Sequence, residues 1–152
     1  GPRMAPDDGR VVSNFICQAL RGEALTIYGD GLQTRSLQYI DDLVESIWRL
    51  LHTDHQYPIN LGNPQEVTIR DLAKAILSLI PNDAGLDWRP LPGDDPKRRC
   101  PDIHLAESVL HWRPATDLHT GLKQTIPWFH QALVPETARS SNGDFGHIPE
   151  AG

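Results

Sequence analysis

The sequence predicts an α/β fold, closer to α+β over these 152 residues, with short strands set between amphipathic helices. Three observations carry that expectation. Apolar residues recur at three- and four-residue spacing in several separated segments, the period of a helix with one buried face. Short β-branched and aromatic runs stand between those segments, bounded by Gly, Pro and Asn. The strand candidates are too few and too scattered to build a complete dinucleotide-binding sheet on their own.

The elements follow in chain order. Residues 1–10 read as a loop with Pro2, Pro6 and the turn pair Asp8-Gly9. From Val11 to Arg21 the positions Val12, Phe15, Ile16, Ala19 and Leu20 define a helix that Gly22 stops. Leu25 to Ile40 is a strand, turn and strand around Tyr28-Gly-Asp-Gly31. Asp41 or Asp42 then caps a helix carrying Leu43, Ile47, Leu50 and Leu51. Pro58-Ile-Asn-Leu61 is a short buried strand candidate. Thr68-Ile-Arg-Asp71 has the form of a capping box and opens a helix through Ile80. Leu86 to Leu91 reads as a strand and 92–101 as a charged loop. Asp102 caps a short helix, and Asp117 caps a longer one that Pro127 should kink or divide. The domain spans 1–133, and 134–152 reads as a disordered tail rich in Pro, Ser, Asn and Gly.

Composition narrows the function classes. A net charge of −6 argues against a general nucleic-acid binder and against an anionic membrane surface. No apolar run approaches the roughly 20 residues of a membrane-spanning helix. The two cysteines, Cys17 and Cys100, form neither a framework nor a Cys-x-x-Cys pair, which points to a reducing cytoplasm. The seven histidines lack ligand spacing with acidic partners, so no metal is expected. The serines lack a Gly-x-Ser-x-Gly elbow. Trp48, Trp88, Trp112 and Trp128 are all expected to pack in the core.

Three places suit an anion. Arg10 precedes the first helix, whose N-terminus contributes free N–H groups and a positive dipole. Gln33, Thr34 and Arg35 follow the Gly29-Asp-Gly31 turn, where a guanidinium forks onto phosphate and backbone groups read a ring edge. Lys97-Arg-Arg99 lies between Asp94-Asp-Pro96 and Pro101-Asp102, which fix its direction so that one arginine faces inward. Each has a plainer alternative: a solvated arginine, a β-hairpin with an Asp-Gly turn, and a solvated charge run.

Several segments taken together are familiar. Gly1-Pro-Arg-Met4, Asp8-Gly-Arg-Val-Val-Ser-Asn-Phe15, Gln18-Ala-Leu20, Tyr28-Gly-Asp-Gly-Leu-Gln-Thr-Arg35, Tyr39-Ile-Asp-Asp42, Asn60-Leu-Gly-Asn-Pro64, Asp94-Asp-Pro-Lys-Arg-Arg-Cys-Pro-Asp-Ile103, Trp112-Arg-Pro114 and Gly121-Leu122 resemble the UDP-glucuronate decarboxylases. These are extended short-chain dehydrogenases/reductases of the NAD-dependent epimerase/dehydratase group. The resemblance runs in register from Gly1 to about Leu133 and is to their C-terminal, substrate-binding part, with the N-terminal Rossmann half largely absent.

Carried over by position, the resemblance implies a UDP-sugar site. Arg10 would sit beside the glucuronate, with Val12 and Phe15 near the nucleotide. Thr26 and Tyr28 would bracket the uracil. Gln33 and Arg35 would face ribose and diphosphate, and Arg99 would clamp the diphosphate. The family activity so implied oxidises C4 of UDP-glucuronate with bound NAD, releases CO2 from the β-keto acid, and reduces the ketone to give UDP-xylose. The C4 ketone is what delocalises the carbanion left at C5. A homodimer is the family habit. Two family features are missing here: the glycine-rich dinucleotide fingerprint, and Tyr-x-x-x-Lys, since Leu32, Leu43 and Leu61 stand four residues after Tyr28, Tyr39 and Tyr57. No catalytic residue is therefore assigned. The chain alone is expected to be inactive, with NAD held mainly by the missing half; the alternatives are a non-catalytic UDP-sugar-binding module or part of another sugar-nucleotide epimerase or dehydratase.

Overall fold

The computed structural model describes residues 1–91, 93 and 98–133, so Lys97, Asp94-Asp-Pro96 and the expected tail over 134–152 lie outside the described residues. The order is α1 (Val11–Leu20), β1 (Leu25–Tyr28), β2 (Thr34–Ser36), α2 (Ile40–Leu51), β3 (Glu66–Thr68), α3 (Ile69–Leu79), β4 (Leu86–Arg89), α4 (His104–Leu110) and α5 (Leu118–Leu133).

Local signals account for most helix ends. Gly22, at φ +72°, closes α1. Its N–H donates to the Ala19 carbonyl at 3.1 Å while Glu23 N–H donates to Gln18 at 2.9 Å. That pair of hydrogen bonds is the Schellman arrangement, which needs a residue free to enter the left-handed region. At α3 the Thr68 Oγ1 accepts from Asp71 N–H at 3.0 Å and donates to the Asp71 carboxylate at 2.7 Å. Thr68→Ala is expected to destabilise the chain by about 1 kcal/mol. Urea unfolding should show that as a lower midpoint at unchanged slope. Asp117 accepts from Thr120 N–H at 3.0 Å as α5 begins. Pro127 leaves the helix undivided from Leu118 to Leu133, contrary to one of the two expectations for it.

Two other expected caps fall differently. Tyr39, not Asp41 or Asp42, is the N-cap of α2, and both aspartates lie in the first turn, where they still complement the positive helix end. Asp42 is used in tertiary structure, accepting from Thr116 N–H at 3.0 Å. Ile103 is the N-cap of α4, with Asp102 one residue upstream accepting from His104 N–H at 3.0 Å.

The strands pair over long distances. β1 and β4 are parallel, with Leu25 opposite Leu86 and Tyr28 opposite Arg89. β2 and β3 are antiparallel, with Thr34 opposite Thr68 and Ser36 opposite Glu66. The hairpin alternative for 25–40 is therefore excluded: β1 and β2 enter different two-stranded sheets. A parallel partner requires a crossover, here through β2, α2, β3 and α3. The expected strand over 58–61 has no ladder partner among the described residues; Ile59 and Leu61 pack instead beside α4.

Helix α1 contacts α3, α5 and β1, and this group forms the main core around Phe15, Ile16, Leu25, Ile27, Leu72, Ile76 and Phe129. A second cluster gathers Ile103, Ala106, Leu110 and Trp112, with Leu50 of α2 against it. Trp112 is buried and Trp128 packs on the main core, but Trp48 and Trp88 are 60% and 45% exposed, against expectation. Trp88 lies on β4 beneath the Arg70 guanidinium, 5.2 Å from the ring centroid. Trp48 belongs to a larger pattern. Ile40, Val44, Ile47, Trp48 and Leu51 recur along one side of α2 and are all exposed. The apolar side of this helix faces outward, while Ser46 and the flanking Leu43 and Leu50 face the body. Among the described residues no helix is long and apolar enough to cross a membrane.

Candidate functional site

An open cleft of about 1710 Å³ runs between α1, the β1 end, β2, the 99–101 segment and α5. All eight residues singled out from sequence line it: Arg10, Val12, Phe15, Thr26, Tyr28, Gln33, Arg35 and Arg99. They come from segments far apart in the chain, and packing of α1 on β1 together with the two sheets brings them to one surface.

The turn between β1 and β2 is shaped by glycine and by α3. Gly29 and Gly31 have φ of +66° and +69°, a region that side chains strain to adopt. Leu32 N–H donates to Asp30 Oδ1 at 2.9 Å, and Gln33 Nε2 reaches back to the Tyr28 carbonyl at 2.8 Å. On the far side Arg70 N–H donates to the Gly31 carbonyl at 3.0 Å and Ile69 N–H to the Gln33 carbonyl at 3.1 Å. The start of α3 thus anchors the loop from behind and leaves its other side toward the cleft.

At the α1 end the arrangement differs from a bare anion site. Asp8 accepts from Arg10 N–H at 3.0 Å and from the Ser13 hydroxyl. Desolvation raises the Asp8 carboxyl, but the bonds from Ser13 and Arg10 outweigh it and hold the group below the usual carboxylate range. A carboxylate of the chain itself therefore already occupies part of the α1 N-terminus. Arg10 keeps its side chain 77% exposed, 3.8 Å from Asp8.

Four further cleft residues were not singled out by sequence. Gln18 forms a two-point contact with Thr26: its Nε2 donates to Oγ1 at 2.9 Å, and its Oε1 accepts Thr26 N–H at 3.1 Å. The Thr26 backbone donor is thereby taken by a side-chain amide rather than left open for a ring edge. Arg89 reaches the cleft because the parallel register sets it beside Tyr28, and Asp87 holds its guanidinium at 2.8 Å. Ser36 Oγ and Gln38 Nε2 line the cleft as buried polar atoms without a hydrogen-bond partner among the described residues. Buried polar groups of that kind call for a partner, so the cleft suits a polar ligand. Only the Gln18-Ala-Leu segment carried a sequence signal for any of these.

A dinucleotide is a poor fit to the described residues. Such a cofactor needs a glycine-rich turn that leads from a strand into a helix N-terminus. Here the Gly29-Asp-Gly31 turn leads into β2 instead. No group of three or more His, Cys, Asp or Glu converges to hold a metal among the described residues.

Residues 1–62 match the NAD dependent epimerase/dehydratase family. UDP-glucuronic acid decarboxylase 2 of Arabidopsis thaliana is 48% identical over 142 residues, 93% of this chain and 32% of that protein. UDP-glucuronic acid decarboxylase 1 of Danio rerio is 49% identical over 133 residues, 88% of this chain and 32% of that protein. Among solved structures, a UDP-glucose 4-epimerase with UDP-glucose from Thermotoga maritima superposes with a TM-score of 0.83 at 30% identity, over 88% of this chain and 43% of that one. The UDP-glucuronic acid 4-epimerase of Bacillus cereus in complex with UDP-glucuronic acid and NAD gives 0.79 at 30% identity, over 87% and 42%. Residues 1–62 are thus similar to the NAD-dependent epimerase/dehydratase family, and the relatives named above are decarboxylases of UDP-glucuronic acid. The chain spans about a third of their length.

Proposed function

We propose that this chain is the UDP-sugar-binding part of a UDP-glucuronate decarboxylase, and that it binds the nucleotide sugar without converting it alone. The observation that carries the reading is the convergence of Arg10, Thr26, Tyr28, Gln33, Arg35 and Arg99 on one cleft. Tyr28 and Arg89, opposite each other in the β1–β4 register and both lining the cleft, offer an aromatic ring and a guanidinium suited to a pyrimidine. Arg35 and Arg99 supply two guanidinium groups for a diphosphate, which they fork more strongly than neutral donors would. Arg10, exposed at the mouth, is the cation available to a sugar carboxylate. Supporting the restriction to binding, the 152 residues contain no Tyr-x-x-x-Lys. In the complete reaction the ketone formed at C4 is the electron sink, and this part contributes substrate hold and orientation. The outward apolar side of α2 is the surface that the remainder of the family fold would cover.

Titration calorimetry at ordinary ionic strength tests the binding. UDP and UDP-glucuronate are expected to bind and uridine to bind more weakly. Arg35→Ala and Arg99→Ala should each cost about tenfold in UDP affinity or more, the worth of a hydrogen bond to a charged group. A folded chain that gives no heat with UDP would overturn the reading.

A further inference from the structure

One carboxylate joins the two arginine-bearing segments of the cleft. Glu66 on β3 accepts from Thr34 Oγ1 at 2.6 Å, and Thr34 is the chain neighbour of Arg35. The same carboxylate accepts from Arg98, with Nε at 2.9 Å from both oxygens and Nη2 at 2.6 Å from Oε2. Arg98 is in turn the neighbour of Arg99. Hydrogen bonds from Arg98 first, then Thr34, hold the Glu66 carboxyl below its ordinary range, so it stays ionised and keeps both partners near neutral pH.

The geometry explains why holding the neighbours aims the arginines. Successive side chains of an extended strand point to opposite faces. With Ser36 opposite Glu66 in the β2–β3 ladder, Thr34 shares the Glu66 face and Arg35 takes the other. Residues 98–100 lie in no ladder or helix, so their course depends on side-chain anchors. Two are present. The Arg98 fork fixes one end, and Pro101 fixes the other by packing so closely on Gly62 that a Cβ there would lie 2.6 Å from Pro101 Cγ. Arg99 is suspended between those anchors on the cleft side.

We propose that Glu66 is the positioning residue of the anion-binding end of this cleft, setting Arg35 and Arg99 on one diphosphate without contacting the ligand itself. This rests on the UDP-sugar reading and extends it to a residue outside the ligand shell. The test is calorimetry on the full chain with UDP, inorganic pyrophosphate and uridine, for wild type, Glu66→Ala and Glu66→Gln. Glu66→Ala is expected to weaken UDP and pyrophosphate about tenfold while leaving uridine unchanged. Glu66→Gln, which keeps an acceptor for Thr34 but loses the charge facing Arg98, should fall between. An equal loss for uridine would reveal a merely structural role, and UDP binding unchanged in Glu66→Ala would overturn the proposal alone. Pyrophosphate binding that depends on Glu66, with UDP binding no better than pyrophosphate, would sustain the proposal and count against a uridine subsite. Failure of wild type to bind either anion would overturn both readings.

Discussion

Phe129→Ala is expected to lower stability by about 3–5 kcal/mol, the usual cost of emptying an aromatic site in a close-packed interior. The Phe129 ring is fully buried and meets Trp128 edge-on at a centroid separation of 5.0 Å. It shares its cluster with Phe15 and Ile16 of α1 and with Leu72 and Ile76 of α3. The cavity would therefore open where three helices meet, and the surrounding backbone can close only part of it. Because a small domain holds only about 5–15 kcal/mol in all, the loss is a large share of the total. Thermal unfolding should fall by roughly 10 °C, given a few degrees per kcal/mol at this size. The same face of α5 lines the cleft through Gly121, Leu122 and Thr125, so ligand binding should weaken with it. A shift below about 1 kcal/mol would mean that α5 is not part of a common core.

The features that could be read from sequence are those whose causes are local. Gly22, Thr68 with Asp71, and Asp117 each end or start a helix within a few residues of themselves, and each does so in the structure. Strand partners are another matter. Nothing in Leu25–Tyr28 says that its partner is Leu86–Arg89 rather than the run just after the turn, since either ladder satisfies the same backbone groups. Asp42 illustrates the same limit. Its position at a helix start was legible, but its bond to Thr116 depends on packing between distant segments.

The candidate site divides in the same way. Motifs pointed to Arg10, Arg35 and Arg99 because family resemblance records residue type at a position, whatever brings the positions together. Arg89 carried no such mark; it enters the cleft only through the parallel register beside Tyr28. Glu66 carries no sequence signal because its significance lies in two partners, Thr34 and Arg98, that are remote from it in sequence. Trp48 failed for the opposite reason. An apolar residue at helical spacing reports that a face avoids water, not that these residues supply the cover.

That uncovered face leads to the second large effect. Co-expression of this chain with the part of Arabidopsis thaliana UDP-glucuronic acid decarboxylase 2 that it does not match is expected to convert UDP-glucuronate to UDP-xylose and CO2. Neither part alone should do so. The reason to expect assembly is α2, where Val44, Trp48 and Leu51 are 57%, 60% and 73% exposed on one side of the helix. Burying each such side chain is worth about 1.5–3 kcal/mol, so a contiguous row of them makes a strong docking surface. Val44→Lys combined with Leu51→Lys should abolish the activity of the pair. Because both side chains project from the body of this chain, its own UDP binding and thermal unfolding should remain as in wild type. Activity that survives the double substitution would remove α2 as the seat of assembly. Conversion of UDP-glucuronate to a 4-epimer, with no CO2 released, would assign the cleft to a different member of the family and overturn decarboxylation as the reaction it serves.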